Sequence, residues 1–266
     1  MRPERCFTAF DAEGRVEALI AYGDTGGEGE VVIELLDLPW DHDYEHAARE
    51  LLQNSLPRIS PRPVALEYIL DEPHPWHPHP ELRRSLLEQL GFEVVRTTSR
   101  WEWRGDSGVP AEDDRLSYGT VADAGRPAFE DALRRVLHES LDRRLRAADA
   151  KRHAEFLLGL NHNPSGYALA YDRSGRLVGL FAAARVGAYP IIALIGVVPE
   201  QRGRGHGLTL LAAATRHHVE VSGASAIRAD TDELNEPMAR CFRRAGYDAF
   251  ATRTEYVHRR PLFGGG

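Results

Sequence analysis

The spacing of three glycines predicts chemistry more clearly than any other part of this sequence. They stand at every second position, as Gly203, Gly205 and Gly207. Without a Cβ atom, glycine lets the backbone approach a ligand closely. An apolar run over 191–198, ended by Pro199, predicts a buried strand before them. Apolar residues then recur at helical spacing: Leu208, Leu211, Ala212, Thr215 and Val219. The unpaired N–H groups and positive dipole of such a helix N-terminus bind anions, so we expect a phosphate or pyrophosphate here.

The spacing of the glycines separates this loop from two common phosphate-binding motifs. A Walker A loop needs Lys and then Ser or Thr after its last glycine, and the dinucleotide fingerprint needs a third glycine where Leu208 stands. The segment 195–207, with Val197, Pro199 and Arg202 in place, resembles motif A of the GNAT acetyltransferase superfamily. The resemblance implies that acetyl-CoA is the co-substrate, without a metal. It also implies a set of cofactor-binding residues: Gly196, Val197, Val198, Arg202, Gly203, Arg204, Gly205, His206, Gly207 and Leu208.

A second segment, 235–247, resembles motif B of the same family. Asn235 is a typical N-cap residue, Pro237 suits a first helical turn and Gly246 suits the position after a helix. The resemblance implies that Asn235 helps to bind the cofactor. Phe242 stands where the family has a tyrosine that protonates the departing thiolate, and a phenyl ring has no proton to give.

Acyl transfer to an amine requires a base for the amine, a hydrogen-bond donor for the thioester oxygen and an acid for the thiolate. The resemblance implies that the donor is a backbone N–H near Val197 or Val198. The motif A strand, 191–195, contains no carboxylate, so the base must come from elsewhere. We select Asp232 and Tyr189 as candidate catalytic residues. The alternatives that stay open are a chain of water molecules and four further side chains: Asp230, Glu233, Glu255 and Tyr256.

Two histidine clusters do not predict a metal site. The segment 74–80 holds three histidines, but its prolines make it an extended loop, and no cysteine or carboxylate set stands beside it. His217 and His218 are adjacent on the predicted helix and point about 100° apart, so they cannot share a metal. The arginines of 143–146 are most simply a solvated helix face, and the alternative that stays open is that they guide an acidic substrate or the 3′-phosphate of coenzyme A.

Composition excludes several classes of protein. The chain has 266 residues, of which 42% are hydrophobic, which is enough for a sizeable core. A net charge of -7 and a pI near 6.0 argue against a nucleic-acid partner. No apolar run approaches the roughly 18 to 20 residues of a membrane span, and the first residues lead into a strand pattern rather than a signal peptide. Two cysteines, Cys6 and Cys241, favour a reducing cytoplasm over a disulfide framework.

The sequence repeats itself weakly. Residues 10–15 resemble 171–176, and 91–101 resemble 246–256 in the same order, as expected for a duplicated unit. The counterpart of the glycine loop in the first half, 32–44, keeps a strand and a proline but has no glycine, and its Asp41 and Asp43 would repel a pyrophosphate.

These patterns predict the domain organisation. We expect a degenerate GNAT-like domain without its own cofactor over 1–105, a linker over 106–114 and a catalytic GNAT domain over 115–262. The resemblance implies an α/β (α+β) fold in which each domain has a mixed, mainly antiparallel sheet flanked by helices.

The resemblance also implies the function, an acetyl-CoA-dependent N-acetyltransferase that acts on a primary amine of a small molecule. The alternative is a non-catalytic acyl-CoA-binding sensor or scaffold, which Phe242 and the missing strand carboxylate favour. We expect no nucleic-acid or membrane partner, and a homodimer stays open.

Overall fold

A computed structural model describes residues 2–24, 30–60, 64–111, 114–160 and 164–259. Its contacts divide the chain into two compact units. Unit 1 comprises 1–97 together with 252–266, and unit 2 comprises 98–251. Both boundaries fall inside long strands, β5 (Glu93–Arg104) and β11 (Tyr247–His258), so each of these strands contributes residues to both units. The assignment of domains to 1–105, 106–114 and 115–262 stays a prediction.

Unit 1 is a sheet with two helices. Its elements are β1 (Cys6–Phe10), β2 (Val16–Asp24), β3 (Glu30–Asp37), α1 (Tyr44–Ile59), β4 (Ala65–Glu72) and α2 (Pro80–Gln89), with the last part of β11. The strand order is β1-β2-β3-β4-β11, and all neighbours are antiparallel except β3 and β4, which pair in parallel over four positions. The segment 10–15, which belongs to the sequence repeat, contains the turn that joins the antiparallel strands β1 and β2.

Unit 2 carries the predicted chemistry. Its elements are β6 (Leu116–Thr120), α3 (Val121–Ala124), α4 (Arg126–Leu137), α5 (Arg143–Ala147), α6 (Ala150–Leu160), β7 (Tyr167–Asp172), β8 (Leu177–Val186), β9 (Tyr189–Val197), α7 (His206–Ser222), β10 (Ala226–Asp232) and α8 (Glu236–Arg244). The strand order is β6-β7-β8-β9-β10-β5, antiparallel except for β9 with β10. This mixed, mainly antiparallel sheet with flanking helices is the fold that was predicted.

Two hydrophobic clusters lie on the two faces of the unit 2 sheet. One packs Leu210, Leu211 and Phe242 of α7 and α8 against the strands. The other packs Phe129 of α4 and Leu157 of α6 against them. Because both faces are covered, seven consecutive residues of β8, 178–184, are buried, as in a central strand with helices on either side.

Apolar residues recur at helical spacing at Phe129, Leu133, Val136, Leu137 and Leu141, a pattern that predicts one helix as far as Leu141. The helix in the structure is shorter. α4 ends at Leu137, and the chain then turns through Glu139, which has φ 54°. Asp142 begins the next helix, because its side chain accepts hydrogen bonds from the N–H groups of Arg144 and Leu145. Leu141 is therefore a loop residue, with 48% of its surface exposed. Among the residues that the structure describes, no helix is both long and apolar enough to cross a membrane.

Candidate active site

Strands β9 and β10 separate almost as soon as they pair. In the described part of the chain, their register consists of one position, Arg228 opposite Ile191. On its other edge β9 pairs with β8 as far as Val197, with a register shift that leaves Ala193 as an extra residue. Such a bulge bends a strand and changes its twist. The sheet therefore opens beside the C-terminal half of β9.

The glycine loop follows this opening and leads into α7. Gly203 and Gly205 have φ 76° and 81°, a left-handed conformation that favours glycine. A Cβ atom on either residue would meet nothing within 4 Å, so open space lies in front of the loop. Gly205 is the N-cap of α7 and provides no side-chain hydrogen bond to the helix. The first N–H groups of α7 thus form an anion site of the kind that the sequence predicted.

A cavity of about 490 Å³ lies against this loop, within the size range of ligand sites. Its polar part is lined by the glycine loop, by Glu139 and Ser140, by Asn235 and by the guanidinium-bearing Arg240 and Arg244 of α8. Its apolar part comes from four elements and is lined by Val136, Leu141, Leu145, Ile195, Val197, Pro237 and Met238. An elongated ligand with phosphates at one end and an apolar arm at the other fits this lining. The residues present therefore suit coenzyme A.

The apolar wall from α4, α5 and the loop between them is the part of the site that sequence reasoning missed. Val136 and Leu145 lie within helices, and Leu141 was assigned to the helical stripe of α4. The signal that distinguishes Leu141 is the short helix with its own Asp142 cap that follows it, which shows that α4 has already ended.

Arg202 holds the loop in place through its side chain. Its guanidinium donates to the main-chain carbonyls of Val197 at 3.1 Å, Val136 at 3.1 Å, His138 at 2.7 Å and Glu139 at 3.1 Å. These hydrogen bonds tie the end of α4 to the end of β9. The side chain is therefore used within the protein, and a cofactor contact from Arg202 would come from its backbone.

The backbone at the end of β9 indicates which N–H group can donate a hydrogen bond to the thioester oxygen. Val198 is fully buried, and its N–H already donates to the carbonyl of Val178 at 2.9 Å. Of the two positions implied by the family, Val197 is the one that lines the cavity. Gly196 also lines it, and a Cβ atom there would collide with the side chain of Val136, so the close packing of α4 explains this glycine.

Asn235 caps α8 as predicted. Its side-chain oxygen accepts a hydrogen bond from the N–H of Met238 at 3.3 Å. The residue also lines the cavity, next to the beginning of α7. Its position in the wall agrees with the cofactor contact that the family resemblance implies, and that contact stays a prediction.

Asp232 has the environment of a structural carboxylate. It is completely buried, and its two oxygens accept hydrogen bonds from the Arg143 guanidinium at 3.1 and 3.2 Å. The N–H groups of Arg143 and Leu234 donate to it as well, each at 3.0 Å. Burial alone would raise the pKa of Asp232, but the hydrogen bonds from Arg143 and Leu234 outweigh it and hold the pKa below its usual value. This geometry argues against Asp232 as the general base.

Tyr189 lies at the other end of β9 from the glycine loop. It is eight residues before Val197, which corresponds to roughly 26 Å along an extended strand. The ring is 57% exposed, and the Arg228 guanidinium lies 4.7 Å from its centroid. Tyr189 is outside the lining of the cavity, so the structure does not bring the two candidate catalytic residues together at the predicted cofactor site.

Phe242 is part of the core rather than of the cavity wall. It is 3% exposed, and its neighbour Cys241 is the residue that lines the cavity.

The remaining candidate carboxylates are paired: Glu255 with Arg96 at 3.2 Å, Glu233 with Arg143 at 3.2 Å and Asp230 with Arg100 at 3.3 Å. Tyr256 is buried in the core of unit 1.

His217 and His218 lie on α7, and His218 makes a hydrogen bond to the backbone of β9. The Nε2 atom of His218 bonds to the carbonyl of Ile191 at 2.9 Å, next to the point where β9 and β10 separate. The rings of His217 and His218 are 6.2 Å apart. Over the described ranges, no group of three or more His, Cys, Asp or Glu side chains is arranged to hold a metal ion.

Comparison with known proteins finds acetyltransferases that are similar to this chain. Residues 129–247 match the family described as the Acetyltransferase (GNAT) family. A mycothiol acetyltransferase of Clavibacter sepedonicus is 29% identical over 252 residues, covering 90% of this chain and 75% of the relative. A second mycothiol acetyltransferase, from Arthrobacter sp. (strain FB24), is 35% identical over 92 residues, which cover 32% of this chain and 28% of the relative.

Solved structures share the fold. A GCN5-related N-acetyltransferase from Sphaerobacter thermophilus has a TM-score of 0.71 at 17% identity and covers 98% of this chain and 82% of its own. A tandem GNAT protein from the clavulanic acid biosynthesis pathway has a TM-score of 0.64 at 15% identity, over 100% of this chain and 86% of its own.

The family match over 129–247 and the named relatives support an acyltransferase. Residues 129–247 match the acetyltransferase (GNAT) family, and the fold of the chain is similar to that of a tandem GNAT protein. This family generally uses acetyl-CoA as the acetyl donor.

Proposed function

We propose that this protein transfers an acetyl group from acetyl-CoA to a primary amine on a small molecule. The observation that carries the proposal is the opening between β9 and β10, which leads directly to the uncapped N-terminus of α7. An open strand edge next to a helix N-terminus provides both a path for an extended arm and a site for its phosphates.

Residues of unit 2 hold the donor in this proposal. The N–H groups of 203–207 bind the pyrophosphate, and Asn235 contacts the same ligand from the start of α8. The N–H of Leu208 donates to the carbonyl of Gly205 at 3.2 Å. The open edge of β9 at Ile195 and Val197 lies along the apolar arm. Bound acetyl-CoA supplies the thioester, and the N–H of Val197 donates a hydrogen bond to the oxygen on which negative charge develops.

The reaction also requires a base that accepts the proton of the amine. Of the carboxylates weighed from the sequence, Asp230 lies on β10, two residues after the last position paired with β9. Its side chain is 32% exposed, whereas Asp232 on the same strand has no exposure. Asp230 lies outside the lining of the cavity and is paired with Arg100 at 3.3 Å, so we propose that it accepts the proton through a chain of water molecules. Asp230→Asn should lower kcat/KM about a hundredfold, the low end of general base catalysis, with an unchanged affinity for coenzyme A.

Unit 1 binds no coenzyme A in this proposal. Its strands β3 and β4 pair over four positions, whereas β9 and β10 pair at one, so the matching opening is reduced. Trp40 is buried where the chain leaves β3, and the Arg83 guanidinium lies 4.3 Å from its ring centroid. The N-cap of α1 is Asp43, whose carboxylate would repel a pyrophosphate.

The acceptor is the least defined part of the reaction. The two relatives are named mycothiol acetyltransferases, so an unacetylated amine precursor of mycothiol is the first acceptor to test. The buried position of Phe242 removes one argument for a non-catalytic sensor, because this residue does not line the cavity.

Release of free coenzyme A tests the proposal. The protein is incubated with acetyl-CoA and a panel of small primary amines, and the new thiol is measured with a thiol-reactive dye. We expect thiol release that requires one amine of the panel and is lost in Gly205→Asp. Tight acetyl-CoA binding without thiol release for any amine would favour the sensor instead.

A further inference from the structure

A second cavity, of about 470 Å³, adjoins the glycine loop. Three arginines line it, Arg135 of α4, Arg176 at the start of β8 and Arg204 of the loop, together with Leu177, Glu200 and Gln201. Gln201 lines both cavities, and Arg204 stands between Gly203 and Gly205, which line the first. The same short segment therefore contributes to the lining of both cavities.

The charges in this second cavity do not cancel. Arg135 forms an ion pair with Glu200, the one carboxylate in the lining. Arg176 pairs with Asp172 at 3.0 Å, within its own turn. The Arg204 guanidinium has no hydrogen bond or ion pair among the residues that the structure describes. Two of the three guanidinium groups are therefore paired with carboxylates and the third is not, which leaves a net positive charge that suits a phosphate group.

We propose that this second cavity binds the 3′-phosphate of coenzyme A. The inference rests on the proposed function, because it places the pyrophosphate on the adjacent glycine loop. In coenzyme A one ribose joins the pyrophosphate to the 3′-phosphate, so the two groups must bind close together. Guanidinium groups suit phosphate oxygens through paired, charge-assisted hydrogen bonds. Arg204 is on the loop itself, and Arg135 and Arg176 approach from α4 and from the β7–β8 turn.

Two other arginines provide the competing location. Arg240 and Arg244 of α8 line the first cavity rather than the second. Arg240 lies 3.7 Å from the carboxylate of Glu236, one turn earlier on the same helix. If the 3′-phosphate bound there, these two residues would discriminate between ligands with and without that phosphate.

Calorimetry with coenzyme A and 3′-dephospho-coenzyme A tests the inference, at a fixed ionic strength of about 0.15 M because such contacts are screened by salt. The wild-type protein should bind coenzyme A about tenfold more tightly than the dephospho form, as expected for one or two charge-assisted hydrogen bonds. Arg135→Gln with Arg176→Gln should remove this preference by weakening coenzyme A alone.

The matched control removes two charges next to the cavity without changing its lining. Arg134 precedes Arg135 on α4 and is 67% exposed, and Arg173 lies in the same turn as Arg176 and is 76% exposed. Arg134→Gln with Arg173→Gln should leave the preference intact. Inorganic phosphate at millimolar concentration should compete weakly with coenzyme A and not with the dephospho form, because only coenzyme A places a phosphate in this cavity.

The outcomes separate the two claims. Equal affinity of the wild-type protein for both ligands would overturn the 3′-phosphate site and leave the proposed function standing. A preference that is lost in Arg240→Gln with Arg244→Gln, and kept in the Arg135 and Arg176 variant, would also overturn it. Failure of both ligands to bind would overturn the proposed function, and this inference with it.

Discussion

The ring of Phe242 stacks on the indole of Trp101, with centroids 5.5 Å apart and planes inclined by 12°. Tyr247 packs against the other side of the phenyl ring in an edge arrangement, at 5.1 Å. Such aromatic pairs stabilise a core beyond the area that they bury. Phe242 is therefore held by packing at the position where the family resemblance implies a catalytic tyrosine.

Phe242→Tyr should reduce stability without accelerating the reaction. The new hydroxyl enters a dry core, and burying an unpaired hydroxyl costs about 1–3 kcal/mol in proteins. We expect the free energy of unfolding in urea to fall by this amount and kcat to change less than threefold. A rise in kcat of about a hundredfold would show that the hydroxyl reaches the thiolate and that its protonation limits the native enzyme.

Arg202→Lys should weaken coenzyme A binding although it keeps the positive charge. A lysine cannot reproduce four hydrogen bonds to carbonyls on two elements, and each such bond contributes about 1 kcal/mol net. We expect the dissociation constant of coenzyme A to rise about tenfold and the unfolding free energy to fall by about 2 kcal/mol. The exposed Arg173→Lys serves as the control. Wild-type affinity in Arg202→Lys would show that charge alone matters at this position.

Much of the site follows from local sequence signals. Pro199 at the end of β9, the glycine loop and the start of α7 at His206 are all encoded within a short segment, as is the Asn235 cap of α8. Signals of this kind act over one turn or one strand, so their positions can be read from the sequence.

The remaining features depend on contacts between distant segments. The bulge at Ala193 lies within a continuous apolar run, where the alternation that would show a register shift is missing. The burial of Asp232 depends on Arg143, 89 residues earlier in the chain. The sharing of β5 and β11 between the two units follows from strand pairing, which has no local sequence signal.

Asp232→Ala should destabilise the protein because it leaves Arg143 without its buried partner. Breaking a buried ion pair by removing one member costs about 3–5 kcal/mol, and we expect the lower value since Arg143 is 29% exposed and also contacts Glu233. Asp114→Ala is the matched control, with an 89% exposed carboxylate paired to Arg173, and should cost less than about 1 kcal/mol. Equal unfolding free energies for the two variants would contradict the structural role of Asp232.

The pH dependence of stability should reflect His218. Burial lowers the pKa of this imidazole, an effect that the hydrogen bond to Ile191 only partly opposes. The unfolded chain then binds more protons than the folded one below the ordinary pKa of about 6.5, so stability is complete above that pH and falls as the pH drops toward the lower folded pKa.

His218→Gln keeps a donor for the Ile191 carbonyl and removes the titration. Between pH 6.5 and 5 its unfolding free energy should fall less steeply than that of the wild type, by at most about 1.4 kcal/mol per pH unit. His138→Gln, at a side chain that is 69% exposed, is the control. An unchanged slope in His218→Gln, with a changed slope in His138→Gln, would assign the effect elsewhere.

Calorimetric titration with coenzyme A tests the central claim, which is that the glycine loop of unit 2 is the one coenzyme site of the chain. Gly205→Asp places a carboxylate at the start of α7, and Gly14→Asp places one on a turn of unit 1 with nearly the same φ, 78° against 81°, and the same empty space around it. We predict one site per chain in the wild type, an affinity at least tenfold weaker in Gly205→Asp because like charges repel, and wild-type affinity in Gly14→Asp. Two sites per chain, or unchanged affinity in a folded Gly205→Asp variant, would contradict the claim.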